Sequence, residues 1–207
     1  MARDPGLLPP GSTLIAVGSG TQIGLFPCGE GELYWFVTGN APRGSALGRE
    51  DLLALCRDWP APIPQVIANT PEFLRNDIVD RPPLAHWGEG KVTLLGDAAH
   101  STTPNLGQGA CQALEDAVVL ADCLRNCSSV PAALRQYEKL RLPRANFVNR
   151  QSCRVGRMLQ LENPLAGRLR DWAARTPLGQ RMTRRLFDQL LTYDVLRLRP
   201  DAACDTV

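Results

Sequence analysis

Residues 92–116 read VTLLGDAAHSTTPNLGQGACQALED. A short apolar run breaks at Gly96 and Asp97, crosses a loop carrying Pro104, Gly107 and Gly109, and opens into Cys111, Leu114, Val118, Ala121 and Leu124 at helical spacing. A continuous apolar run of this length, bounded by turn residues, is the pattern of a strand buried in a parallel sheet. The helix is expected over about 107–126, so that strand, loop and helix make half of a nucleotide-binding unit. An acid at the carboxyl end of such a strand sits where open α/β sheets bind ligands. Charged acceptors hold ligand hydroxyls about twice as strongly as neutral ones. Read from the residues alone, Asp97 is equally a turn former of the kind common before loops. The glycines let backbone approach a flat ligand closely, and a helix starting near Gly109 aims free N–H groups and a partial positive charge at whatever lies in front of it.

Upstream, TLIAVG, TQIGLFPC and ELYWFVTG are rich in β-branched and aromatic residues and are punctuated by Gly20, Gly24 and the CGEGE turn, which predicts hairpins of an antiparallel sheet. Tyr34 and Trp35 alternate on one of these strands, so one faces a cavity and the other the opposite side. Helix is expected near 49–58, followed by a proline-rich stretch, WPAPIPQVIANTP, unsuited to helix interiors. One more strand is expected at 72–80, and the pair Pro82-Pro83 marks a domain boundary. Downstream, residues 131–161 are helical by composition, with a kink expected at Pro143. Leu178, Met182, Leu186, Leu190 and Tyr193 predict a packing stripe on a last helix.

The composition bounds the rest. The 207 residues are 44% apolar, enough to bury a core, and no stretch reaches the 18 or so apolar residues of a membrane span. The N-terminus lacks the pattern of a secretory leader, so the expected location is the cytoplasm. Seven scattered cysteines, including the close pair Cys123 and Cys127, argue against a disulfide framework or a metal site. The net charge of +2 hides an asymmetry: residues 131–200 hold 15 Lys/Arg against 5 Asp/Glu, whereas residues 1–130 hold 8 against 14. With few aromatics among these arginines, solvent-facing helix charges are the expected reading and no nucleic-acid partner is expected.

The string GDAAHSTTPNLGQGACQALEDAVVLA closely resembles the second flavin motif of the FAD-dependent aromatic-ring monooxygenases, the family of salicylate and urate hydroxylases and, more distantly, zeaxanthin epoxidase. Gly96, Asp97, Ala98, His100, Pro104, Gly107, Gly109, Glu115 and Asp116 carry it, and the upstream segments extend it over most of residues 12–150. The run Ser101 to Pro104 looks most like the urate hydroxylase branch. The resemblance implies an α/β fold: a partial antiparallel substrate-binding sheet over 1–83, then an incomplete Rossmann-like FAD domain with C-terminal helices over 84–207. It implies FAD as cofactor, NAD(P)H as reductant and O2 as co-substrate, with a flavin C4a-hydroperoxide hydroxylating a small aromatic or heteroaromatic substrate. The implied cofactor-binding residues are Gly96, Asp97, Pro104, Gly107, Gln108, Gly109, Ala110 and Cys111: Asp97 accepts from the ribityl chain, Pro104 packs near the isoalloxazine, and the backbone of 107–111 faces the pyrimidine edge. The cofactor supplies the hard chemistry, so no catalytic side chain is assigned.

His100 reads as a structural hydrogen-bonding residue and His86 as a surface one. Glu115 and Asp116, adjacent on a helix, point about 100° apart and read as charges favoured by the helix dipole. Arg141 and Arg144 fall where the family also carries arginines and read as surface ion-pairing groups. The family's N-terminal GxGxxG and its intermediate Asp-Gly motif are absent, since Gly18 to Gly24 lie between strand-like runs with no helix after them. The chain therefore reads as the C-terminal portion of a longer ancestral protein. The alternatives are an inactive remnant or interaction module, a second chain supplying the missing FAD half, and, more weakly, a flavin-free NAD-dependent dehydrogenase.

Overall fold

The computed structural model describes residues 2–3, 8–9, 11–45 and 47–198. Cys204 and most of the N-terminal stretch read above for a leader lie outside them. Two compact units are formed, one from residues 1–77 with 159–168 and the other from 78–158 with 169–207.

In the first unit, β1 (Ala2–Arg3), β2 (Leu14–Val17), β3 (Thr21–Gly29) and β4 (Glu32–Gly39) make an antiparallel sheet in the order β1-β4-β3-β2. The expected hairpins are therefore present, and Gly18 to Gly24 is the β2–β3 turn and the strand after it, with Gly18 N donating to Thr21 O at 2.8 Å. The register pairs Leu25 with Trp35 and Ile23 with Val37, so period-2 alternation sends these residues to one face. There Ile23, Leu25 and Leu33 pack with Cys56, Ile63, Val66 and Ile67 from beneath α1 (Arg49–Leu55) and α2 (Ile63–Ala68). Helix α2 forms inside the proline-rich stretch because Pro62 precedes it and Pro64 lies in its first turn, where a missing N–H leaves no helical bond unmade. Residues 72–80, expected as a strand, form no ladder with any described strand.

Trp35 turns into this core, its Nε1 donating to Thr70 Oγ1 at 2.9 Å. Tyr34 lies on the opposite face with Phe26 and Phe36, ring centroids 6.0–6.4 Å apart. Gly24 makes the cluster possible, since a Cβ there would run into both phenylalanine rings.

The second unit is helical: α3 (Asp97–His100), α4 (Gly109–Asn126), α5 (Val130–Leu159), the latter part of α6 (Pro164–Arg175), and α7 (Pro177–Leu191). Residues 91–95, expected as a buried parallel strand, form no ladder. Val92 makes one isolated bridge with Glu89, Leu94 N donates to Trp87 O at 3.1 Å, and Val92 stands 67% exposed. A strand buried on both faces needs neighbours on both edges, and none lies beside this one among the described residues.

Helix α4 has nearly the expected bounds but buries a different face. Gln112, Asp116, Val119 and Cys123 are buried, whereas Leu114, Val118 and Leu124 are exposed. The apolar stripe read from spacing therefore points outward, and a mixed polar row points in. The Cys123 thiol is pushed up to about 11 by burial, with Asp122 adding to the effect. Cys123 is free, so the close pair does not bridge itself.

Trimming Val119 to alanine should therefore cost about 1–3 kcal/mol in urea unfolding. Leu114→Ala on the open face should stay within about 0.5 kcal/mol.

Candidate functional site

Gly96 begins the candidate loop with φ 60°, a left-handed conformation that side chains resist, and its backbone lies close against Ala113 of α4. Its N–H donates to Asp116 Oδ2 at 3.0 Å, and the same oxygen meets His100 Nε2 at 2.6 Å. The other oxygen, Oδ1, accepts from Arg141 Nε at 2.8 Å. Arg141, itself fully buried, also donates to Glu115 Oε2 at 2.6 Å and to Gln112 Oε1 at 2.9 Å. Glu115 and Asp116, read as charges favoured by the helix dipole, thus converge on one guanidinium, and Arg141 is a core residue, contrary to the surface ion pairing expected of it. Side chains 100° apart on one helix can both reach a long planar donor from a neighbouring helix, because the fork spans the gap. Arg144 is buried as well; it donates to Gln189 O and Leu190 O, both at 2.9 Å, and stacks over Tyr193 at 4.2 Å. His100 has the structural role expected of it, and His86 is exposed as expected.

Burial works to raise the Asp116 pKa, but hydrogen bonds from His100, Arg141 and Gly96 outweigh it and hold the carboxyl below the ordinary aspartate range. Arg141 is opposed by burial in the same way and is raised by its two carboxylates. Sequence spacing gave no sign of this cluster. The only available signal was two acids and a glutamine on a helix whose partner helix carries an arginine at the same depth.

Helix α5 fixes the rest of the loop. Tyr137 Oη donates to Leu94 O at 3.3 Å, Asn149 Nδ2 to Ser101 O at 2.8 Å, and Ser152 Oγ to Thr103 O at 2.7 Å. Arg81 donates to Ala98 O at 2.9 Å, and Trp87 packs against both His100 and Tyr137 at 5.5 and 5.6 Å. Backbone carbonyls from 94 to 103 are thus pinned to one helix, and the loop's outer side is left open.

That open side holds most of the anticipated residues. Asp97, Pro104, Gly107, Ala110 and Cys111 are exposed, Gly109 is partly so, and Gly96 and Gln108 are buried. The Asp97 carboxylate receives no hydrogen bond from any described residue. A 3-10 turn over Pro104–Leu106 closes with Gly107 at φ 63°, and Gln108 leads into α4 without a side-chain cap. The first ladder bond runs from Gln112 N to Gln108 O at 2.9 Å, so the donors of Gly109, Ala110 and Cys111 precede it. A free carboxylate and an uncapped helix start on one rigid loop suit a ligand with hydroxyls and an electron-rich edge, as FAD has.

Residues 79–152 match the family described as FAD binding domain. The chain is 46% identical over 173 residues to the aurachin C monooxygenase/isomerase of Stigmatella aurantiaca, covering 81% of this chain and 45% of that protein. It is 34% identical over 200 residues to an FAD-dependent urate hydroxylase of Klebsiella pneumoniae, covering 91% of this chain and 51% of the relative. The crystal structure of Klebsiella pneumoniae HpxO complexed with FAD and uric acid matches with a TM-score of 0.79 at 33% identity, over 89% of this chain and 49% of that one. The chain spans about half the length of the curated relatives it matches.

Removing one member of the buried cluster, by Asp116→Ala or Arg141→Ala, should cost about 3–5 kcal/mol, because the surviving charge loses its partner. The contribution of Asp116 should be complete above the unfolded aspartate pKa of about 3.9 and fade as pH falls below it through the depressed folded value. Denaturant midpoints measured between pH 7 and pH 3 should fall for the parent chain and flatten for Asp116→Asn.

Proposed function

We propose that this chain provides the ribityl- and ring-contacting segment and part of the substrate sheet of an FAD-dependent monooxygenase that uses NAD(P)H and O2 on an aromatic or heteroaromatic substrate. The observation that carries the reading is the unclaimed Asp97 carboxylate on a loop locked from behind by Asp116 and Arg141. When bound, FAD supplies the redox and oxygen-activating chemistry. Asp97 would accept from the ribityl hydroxyls, Pro104 would pack beside the ring system, and Gly96, Gly107, Gln108, Gly109, Ala110 and Cys111 would offer backbone and close approach. The partial positive charge at the start of α4 would stabilise negative charge on the pyrimidine edge.

The sheet face bearing Phe26, Tyr34 and Phe36 supports an aromatic substrate class, since offset aromatic rings offer a flat apolar surface of the right kind. Residues 1–83 would then serve the substrate and 84–207 the flavin, in a cytoplasmic protein. No helix among the described residues is long and apolar enough to cross a membrane.

A second reading has its own observation. The exposed row Leu114, Val118 and Leu124 on α4 and the unladdered backbone of 92–95 are each of the kind a dinucleotide-binding βαβ unit would cover. A GxGxxG element packed there would complete the site, and without one the segment would act as an inactive interaction module.

Titration of the 207-residue chain with FAD, followed by flavin fluorescence, tests the first reading. Saturable binding weakened about 10- to 100-fold in Asp97→Ala is the expected result, the loss appropriate to a hydrogen bond with a charged acceptor. Binding indifferent to Asp97, or none, would remove the assignment of this loop to FAD in the isolated chain.

A further inference from the structure

The C-terminal helices carry a surface that the flavin reading does not use. On α6, Leu165, Leu169 and Trp172 recur at i, i+4 and i+7, and stand 74%, 63% and 65% exposed. On α7, Leu178 and Met182 repeat the i, i+4 spacing and are 66% and 63% exposed. At 100° per residue, Arg168 and Arg175 lie along one side of the α6 row, and Arg181 and Arg185 flank the α7 row. With Arg184 they are exposed, and none of the five enters an ion pair with a described residue. Over 164–191 the sequence holds six arginines against two aspartates.

Helix α7 is held at its far end, where Leu190 is buried and Arg144 grips the carbonyls of Gln189 and Leu190. Its first turn is tied to the end of α6 instead, with Gln180 Nε2 donating to Arg175 O at 3.3 Å. The apolar row of α4 differs in its company, since that helix carries Glu115, Asp116 and Asp122 against a lone Arg125. Apolar rows collared by arginine are what an interfacial helix presents: leucine and tryptophan enter the headgroup boundary, and the guanidinium stems lie along the apolar surface with their charges among lipid phosphates.

We propose that α6 and α7 dock this chain on an anionic bilayer surface, with Leu169, Trp172, Leu178 and Met182 entering the headgroup region and Arg168, Arg175, Arg181, Arg184 and Arg185 meeting lipid phosphate. This rests on charge complementarity and exposure, independently of the flavin assignment, and brings the protein to the phase where apolar aromatic compounds concentrate.

The test is co-sedimentation of the full chain with large vesicles of phosphatidylcholine, with and without phosphatidylglycerol. The expected result is retention at least about tenfold stronger on the phosphatidylglycerol vesicles, weakened by added salt, with a blue shift of tryptophan emission that Trp172→Phe abolishes. Leu169→Ser with Leu178→Ser should lose retention, as should the triple change of Arg181, Arg184 and Arg185 to glutamine, each with circular dichroism matching the parent. Retention unchanged in both variants, or absent from phosphatidylglycerol vesicles, overturns the proposal. So does a dimer by gel filtration that the double serine variant dissociates while vesicles bind nothing, since the face would then be covered by a second copy. Flavin titration of the same variants separates the two readings, because Asp97-dependent FAD binding should persist in them.

Discussion

A buried aspartate cannot stay charged unless both of its oxygens are occupied, and the second unit is organised around meeting that demand for Asp116. One oxygen takes the Gly96 N–H and His100; the other takes Arg141. The donors come from the loop, from α3 and from α5, so one carboxylate fixes three segments against α4. Taking these charges out of water is costly, and the gain is recovered only when all the donors arrive together. That makes the loop geometry close to all-or-none. The residues proposed to face a flavin need not hold their own positions, because the anchoring groups behind them already do.

This arrangement also explains why α4 buries a polar row. A helix normally hides its apolar stripe, and Leu114, Val118 and Leu124 would have been that stripe. The ion cluster claims the opposite face and leaves the stripe outside, and residues 92–95 are likewise left without a ladder. The two features have one physical meaning: both are surfaces of the kind a further layer of sheet would cover. The arginine-collared rows on α6 and α7 are different in kind, because their neighbours are cations.

Much of the local structure was legible in the chain. The three longer strands of the antiparallel sheet, the turn between β2 and β3, the bounds of α4 and the extent of α5 all follow from alternation, helical periodicity and turn residues, which act between near neighbours. So does the loop-helix order around Asp97, and with it the resemblance that the relatives bear out. Less legible was α2, where prolines read as helix breakers occupy the one turn that tolerates them. The strands expected at 72–80 and 91–95 failed for a different reason. Apolar and β-branched runs state a preference for extended backbone, but a strand exists only where an edge is offered to it.

What the sequence determined by itself was therefore local: which segments alternate, which coil, where glycine permits a left-handed turn, and the order of residues that carries the resemblance. Only the tertiary structure decided which face of each element is buried and which charges meet. Glu115 and Asp116 looked like helix-dipole charges and Arg141 like a surface ion-pairing group, because spacing along one helix says nothing about a donor arriving from another. The pairing became visible only with α5 laid against α4, where a guanidinium shut away from water had no other way to stay paired.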